Sequence, residues 1–382
     1  MKEGWTYKKL GEVCEIFGRI GFRGYTKADL VDSPKDGAIT LSPSNIVNGE
    51  MDYSKCSYIT WAKYEESPEI MIYPGDILLV KTASVGKTAL VRDLPHKATI
   101  NPQFVVLKNI ETNHEYLSYY MKSEKAQNFI LSIAKGAAAQ TVSQKNLAEM
   151  QVPVPTKAEQ QRIVSRLDSA FAHIDELKAN AEKQLSEARA LFQKALTKAM
   201  EPKEGWEEKR LPEISENLDS MRKPVTKKDR TEGIYPYYGA SGIVDYVDDY
   251  IFDENLLCIS EDGANLLMRT YPIAFPISGK VWVNNHAHVL RFKCMTTQRY
   301  IEYFFAGIKL DEYITGAAQP KLTQKALNNI TINIPDSIEE QQRIVSRLDS
   351  LSAHVRELEE VTQKTIAECD ALKQALLRKV FE

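Results

Sequence analysis

The runs in this chain that most resemble chemical machinery are short and incomplete. Ser84-Val85-Gly86-Lys87-Thr88 is the tail of a glycine-rich phosphate-binding loop. Such a loop needs an opening glycine where Lys81 stands. Without it the backbone N–H groups cannot wrap a phosphate, so nucleotide binding is not expected. His286 and His288 alternate, which puts both on one face of a strand at a spacing open to metal ligation. No cysteine or carboxylate set accompanies them at ligand spacing, so a hydrogen-bonding or core role is expected, and no metal. His173 and His354 recur at one place in two helical stretches and are expected at an interface or in solvent. No Ser/His/Asp or Cys/His arrangement stands out, so the expected catalytic set is empty.

Asn101-Pro102-Gln103-Phe104 resembles the NPP[YF] motif that grips a flipped adenine in adenine methyltransferases, but Gln103 replaces the second proline. No glycine-rich cofactor loop follows a strand upstream, so methyl transfer by this chain itself is not expected. What remains suits recognition. Met221–Arg230 reads MRKPVTKKDR, five basic residues against one acid, with Tyr235, Tyr237, Tyr238 and a Gly239-Ala240-Ser241-Gly242 turn close behind. Basic side chains beside aromatics and small turn residues suit phosphate contact next to base contact. In the first half Arg19, Arg23, Tyr25 and Lys27 lie on one glycine-rich loop, and Lys81, Ser84 and Lys87 on another. Residue types alone leave ordinary solvated loops equally open.

The elements that hold these loops are duplicated. The run EQQRIVSRLDS occupies Glu159–Ser169 and again Glu340–Ser350. Lys2-Glu3-Gly4-Trp5 returns as Lys203-Glu204-Gly205-Trp206, and Ala138-Ala139-Gln140 returns as Ala317-Ala318-Gln319. The copies share their beginnings and ends, differ between them, and the first has the longer middle. One scaffold thus carries two different inserts, which predicts a pseudo-two-fold internal repeat rather than a solenoid. Short apolar runs such as Ile77–Val80, Phe104–Leu107, Leu256–Ile259 and Val289–Phe292 read as strands. Helices are expected near Tyr116–Ile133 and Arg299–Tyr313. The inserts are therefore mixed α/β (α+β) domains.

Residues 156–200 and 337–381 contain neither glycine nor proline. In the first, Ile163, Leu167, Ala170, Ile174, Leu177, Ala181, Leu185, Ala188, Phe192 and Ala195 step by three and four. In the second, Ile344, Leu348, Leu351, Val355, Leu358, Thr362, Thr365, Cys369, Leu372 and Leu376 do the same. That spacing is a coiled-coil seam. Each stretch opens on a capping box, Thr156 with Glu159 and Ser337 with Glu340. Neither helix can bury its seam alone, so the two are expected to pack on each other. The boundaries that follow are 1–155, a helix over 156–201, 202–335, and a helix over 336–382.

Composition narrows the setting. Apolar content of 43% and charged content of 26% are ordinary for a folded soluble protein. Five cysteines without CxxC spacing argue against a disulfide framework and fit a reducing cytoplasm. A net charge of −3 leaves any nucleic-acid affinity to local basic clusters.

At this point the chain resembles the specificity (S) subunit of a Type I restriction-modification system, along its whole length. PGDILLVKTASVGKTALV (74–91), INPQFVVLK (100–108) and GAAAQTVSQKNLAEMQVPVPTKAEQQRIV (136–164) resemble the family in the first copy. LLCISEDGANLLMRTYPIAFPISGKVWVNNHAHVL (256–290) does so in the second. The resemblance implies two target-recognition domains separated by two long helices forming an antiparallel coiled coil. It implies that each domain reads half of an asymmetric bipartite site on double-stranded DNA. Two methyltransferase subunits would dock on the helices, bring S-adenosylmethionine and methylate adenine; restriction/translocase subunits would join. The chain would bind no cofactor and catalyse nothing itself. Expected DNA contacts are Arg23, Tyr25, Lys81, Thr82, Ser84, Lys87 and Gln140 in the first domain. In the second they are Lys223, Lys227, Tyr238, Ser241, Glu261, Asp262, Arg269, Asn284, Asn285, His286 and Gln319. The acids would accept from cytosine N4, although Glu261-Asp262 also suits a turn or cap. A recognition subunit of another methyltransferase or nuclease system, and a helical scaffold that binds no DNA, remain open from the residues alone.

Overall fold

Ile77–Val80 is apolar at every position and buried on both faces, and the cores on its two sides explain why no alternation shows in it. In the computed structural model, which describes residues 4–136, 139–316 and 319–382, this strand is central in a four-stranded antiparallel sheet. Lys2 and Glu3 of the repeated start, and Ala138, Ala317 and Ala318 of the repeated Ala-Ala-Gln, lie outside the described residues. The sheet runs in the order 88–90, 77–80, 104–108, 15–17. Ile77, Leu79, Val105 and Leu107 face a helical core. Leu78, Val80, Phe104 and Val106 face a five-stranded sheet, in the order 30–31, 57–60, 37–41, 98–100, 71–72.

The second insert repeats the plan. Its four-stranded sheet runs 215–217, 287–292, 256–260, 274–277, with Leu257, Ile259, Leu290 and Phe292 on the helical side. Leu256, Cys258 and Val289 face the other way, toward a sheet ordered 242–247, 232–239, 280–283, 252–253. A two-stranded ribbon closes each insert, 6–9 with 151–154 and 206–210 with 331–335.

Two expected helices have different bounds. Tyr116–Ile133 is two helices, His114–Lys122 and Glu124–Ser132, because Ser123 caps the second one. Its Oγ donates to Tyr120 O at 2.6 Å and accepts from Ala126 N at 3.4 Å. The stretch expected to reach Tyr313 is Met295–Gly307, ending at its glycine.

The glycine-free stretches are single helices, Lys157–Ala199 and Ile338–Phe381, each roughly 65 Å long. The hydroxyls of Thr156 and Ser337 each accept the N–H three residues on, at 3.3 Å. The carboxylates of Glu159 and Glu340 pair with Arg162 and Arg343. The repeated run is repeated because it fastens each helix to its own insert. Gln160 and Gln341 are buried and donate to Pro155 O and Pro335 O, both at 2.8 Å. Ile163, Val164 and Leu167 enter one core, and Ile344, Val345 and Leu348 the other.

By contact the chain divides into two units, and the division cuts both helices. One unit reaches to Asn180 and resumes at Gln363; the other is Ala181–Thr362. Within the first, Asp175 meets Lys373 at 2.5 Å and Lys178 meets Asp370 at 3.4 Å, so the helices run antiparallel. Leu377 and Phe381 join its core, and Phe381 packs edge-on against Tyr116 and Tyr120. Within the second, Arg189 meets Glu359 at 2.6 Å and Leu196 enters the core. The seam departs from the expected one at Leu177 and Leu372, which are 56% and 51% exposed. The half-buried positions beside them are Lys178 and Lys373, whose stems cover apolar surface while their ammonium groups reach acids. No described helix is long and apolar enough to cross a membrane.

Candidate functional site

Each insert presents loops where its four-stranded sheet ends, and both use one set of backbone bonds. In the first unit Lys81 N donates to Gln103 O at 2.7 Å, Val142 N to Lys81 O at 2.9 Å, and Ala83 N to Gln140 O at 3.1 Å. In the second Glu261 N donates to His286 O at 2.9 Å, Leu322 N to Glu261 O at 2.8 Å, and Gly263 N to Pro320 O at 3.0 Å. Thr82 bridges to Thr141 as Asp262 bridges to Lys321. Asn101 and Asn284, both buried, fold the same turn: their Oδ1 atoms accept Gln103 N at 2.9 Å and His286 N at 2.8 Å. NPQF is thus a sheet-to-sheet turn. The Ser84–Thr88 run is a tight hairpin, closed by Gly86 N on Val80 O at 3.0 Å and by Gln127 Nε2 on Gly86 O at 3.0 Å. Gly86 sits at φ 95°, where an L side chain is strained, so the glycine is a backbone requirement of the turn.

Beneath the loops the two units differ. In the first, buried Arg19 donates to Ile100 O at 3.0 Å, Thr99 Oγ1 at 3.1 Å and Arg23 O at 3.3 Å, with the Tyr25 ring 5.3 Å away. Burial pulls its guanidinium below the ordinary value. In the second, Arg222 Nη1 lies 2.7 Å from Glu261 Oε2 and Nη2 lies 3.4 Å from Asp219 Oδ2. His288, 1% exposed, sets Nδ1 2.6 Å from Asp219 and Nε2 2.8 Å from Leu322 O. Lys321 Nζ meets Glu261 Oε1 at 3.1 Å. Burial pushes Asp219 and Glu261 up. For Asp219 the hydrogen bond and charge of His288 outweigh it; for Glu261 the bonds from Arg222 and Lys321 do. Both carboxyls are held below their ordinary values.

Ligand-type atoms of Asp219, Glu261 and His288 lie within 4.8 Å of one another. Their spacing along the chain gave no sign of this carboxylate set. The positive charge between them is the Arg222 guanidinium, so the donors are already neutralised and do not form an open metal cage.

The structure brings Lys81, Thr82 and Gln140 together on the first platform, with exposed Ser84 and Lys87 on the adjoining hairpin. Burial lowers Lys81 from its ordinary value. Arg23 and Tyr25 belong to the Arg19 cluster instead: Arg23 meets Glu69 at 3.4 Å, and the Tyr25 hydroxyl accepts from Thr40 at 3.2 Å. On the second platform Asp262 and His286 pair at 2.8 Å, Asn285 and Gln319 are exposed beside them, and Ser260 ties the Ala240-Ser241 hairpin in through Ala240 O. Tyr238 stacks on Phe275. Lys223 and Lys227 are exposed, and the Lys223 carbonyl accepts Trp282 Nε1 at 2.7 Å.

Three of the expected contacts have internal partners. Glu261 is held by Arg222 and Lys321, and Asn284 folds its turn. Arg269, in the left-handed region at φ 50°, donates to Phe305 O at 2.9 Å and to Ile308 O. Gln103, Thr141 and Lys321 also stand on the platforms and were not among the expected contacts. The repeat matches Gln140 with Gln319 in sequence, whereas the backbone bonds set Gln140 against Pro320, so the equivalence of Thr141 and Lys321 shows only in the fold.

One backbone platform built twice, with different side chains on it and an antiparallel helix pair fastened beneath, defines a duplicated recognition scaffold. The family of Type I restriction modification DNA specificity domains matches residues 2–187 and 203–368, and the chain belongs to it. It is 23% identical over 423 aligned positions to the Type I restriction enzyme EcoKI specificity subunit of Escherichia coli K12, covering 100% of this chain and 89% of that one. Among solved structures it is similar to a chain from work on complex assembly and conformational transition of the type I R-M system. There the TM-score is 0.75 at 20% identity, covering 100% of this chain and 98% of that one. It is also similar to the HsdS subunit of Thermoanaerobacter tengcongensis, with a TM-score of 0.57 at 20% identity, covering 100% and 97%.

Proposed function

We propose that this specificity subunit reads an asymmetric bipartite site on double-stranded DNA, one half per platform, and delivers that site to enzymes it does not itself contain. The observation that carries this reading is the pair of platforms: the backbone bonds repeat and the exposed side chains do not. Two different half-sites require that combination. Two adenine methyltransferase subunits dock on the helix pair and carry the S-adenosylmethionine; restriction/translocase subunits join the same assembly. The helix pair separates the readers and so sets the gap between half-sites. The chain supplies recognition and no chemical step, in keeping with an NPQF turn whose Asn101 side chain is committed to the fold. The protein works in the cytoplasm, where the DNA is.

Methylome sequencing of cells with and without this chain, in the presence of its methyltransferase partners, tests the reading. The expected result is one bipartite adenine-methylated motif that appears only with the chain. Labelled methyl transfer to DNA by the purified chain alone would contradict it, as would an unchanged methylome.

A further inference from the structure

We infer that base choice on each platform is made by three side chains at equivalent backbone positions: Thr82, Gln103 and Thr141 in the first unit, and Asp262, His286 and Lys321 in the second. The inference rests on the reading of the chain as a DNA recognition subunit and adds which residues select the bases.

Backbone bonds establish the equivalence. The residues just before Thr82 and Asp262 make the same two bonds, to the Gln103 or His286 carbonyl and from the Val142 or Leu322 amide. Thr141 and Lys321 each exchange a pair of bonds with the chain six residues before, Lys135 at 2.9 and 2.8 Å and Thr315 at 3.0 and 2.8 Å. Three loops from three parts of the chain therefore converge in the same way twice. Neighbouring positions serve the frame: Asn101 and Asn284 fold the turn, and Val142 and Leu322 are buried. At these three positions the shared frame carries side chains that are at least partly open to solvent, with Thr82 beside Thr141 and Asp262 beside His286.

Their chemistry differs at every position. In the first unit two hydroxyls lie 3.0 Å apart beside an amide. Asn101 Nδ2 donates to Gln103 Oε1 at 3.0 Å, which fixes one end of that amide and does not use its N–H donors. This neutral set both donates and accepts. In the second unit an acid, an imidazole and an ammonium take those places. Asp262 fixes His286 through Nδ1 at 2.8 Å, and Nε2 has no hydrogen-bond partner among the described residues. Lys321 spends one donor on Glu261 at 3.1 Å and is 49% exposed at its side chain. An ammonium with donors left over from Glu261 would favour, on a base edge, the two acceptors of guanine, N7 and O6. The half-site read by the second unit is thus expected to contain a guanine that Lys321 meets, whereas the first platform has no charged group among its three.

The test is methylome sequencing of the assembled methyltransferase carrying single variants of this chain. Gln103→Ala should lower discrimination at one base position of one half-site about 10- to 100-fold and leave the other half intact. His286→Ala should do the same in the opposite half, and Lys321→Met should relax a guanine there. Melting of the assembled enzyme and its affinity for non-specific DNA are measured alongside. If His286→Ala melts early, His286→Gln and Lys321→Met carry the same expectation. An unchanged motif at full methylation in the Gln103 and Lys321 variants overturns the assignment, as does one substitution altering both halves. A lowered melting temperature with an unaltered motif also overturns it, since it gives these side chains a structural role only. If the unsubstituted chain directs no bipartite motif, the failure lies instead in the reading of the chain as a DNA subunit.

Discussion

Under the first platform a buried arginine is held by carbonyls, a hydroxyl and a tyrosine ring; under the second, an arginine sits among two carboxylates beside a histidine and a lysine. Both arginines follow the short edge strand of their sheet, and both support the same loop frame. The difference teaches that the backbone of a reader can be conserved within one molecule while the means of fixing it changes from neutral hydrogen bonds to an ionic network. The Arg19 guanidinium donates its hydrogen bonds to neutral acceptors and does not need an ionised carboxylate to make them. The Arg222 guanidinium pairs with carboxylates.

Replacing residues 202–335 with the corresponding domain of another specificity subunit should break the comparison most severely. One half of the methylated motif should be exchanged and the other kept; a change in both halves, or in neither, removes the two-reader account. A heptad inserted after Leu177 together with one after Leu358 lengthens both helices by about 10 Å and keeps their register. The same half-sites should then stand about three base pairs further apart at about 3.4 Å per pair. Full activity on the original spacing would show that the helices do not measure DNA.

Asp219→Asn tests the ionic floor directly. It removes one member of a nearly buried network and should cost about 3 kcal/mol in the second unit, read as faster amide exchange in strands 256–260 and 287–292. Strands 77–80 and 104–108 should keep their protection. The Asp219 carboxyl is held below its ordinary value when folded, so its contribution is complete above the unfolded pKa, about 3.9, and fades as pH falls through the lower folded value. The gap between parent and variant should therefore close in strong acid, as pH falls below about 3.9. A gap that widened in acid would reverse the assigned sign. The smallest effect concerns the turn itself. Ala83 holds φ 68° where the second unit has Gly263 at φ 103°. Ala83→Gly should stabilise the first unit by about 1 kcal/mol with the methylation motif unchanged, measured by urea unfolding.

The apolar strands were legible in sequence because each lies between two cores and needs no polar face, as Ile77–Val80 and Leu256–Ser260 show. The helix pair was legible from its spacing, but the place where the seam turns away from Leu177 and Leu372 was not. Lysine stems cover apolar surface there, and a pattern of apolar letters does not register them. The break at Ser123 was hidden for a similar reason, since apolar periodicity continues across a capped junction. The platforms were half legible. Thr82, Gln140, Asp262, His286 and Gln319 do lie on the platform loops, because polar residues beside turns mark loops. Arg222, Asp219, Glu261 and His288 meet only through folding, and no local spacing announces them.

The way Leu377 and Phe381 fill the first unit has a consequence for biosynthesis. The second unit is one uninterrupted stretch, Ala181–Thr362, whereas the first closes only after Gln363–Glu382 has been made. On the ribosome, the reader synthesised first must therefore wait, with Tyr116 and Tyr120 uncovered, until the second has been completed and the end of the chain has returned to it. The order of maturation is the reverse of the order of translation, and the closing contacts are among the longest in sequence that the chain makes. A chain released before residue 377 would contain all of the second reader and lack Leu377 and Phe381 of the first.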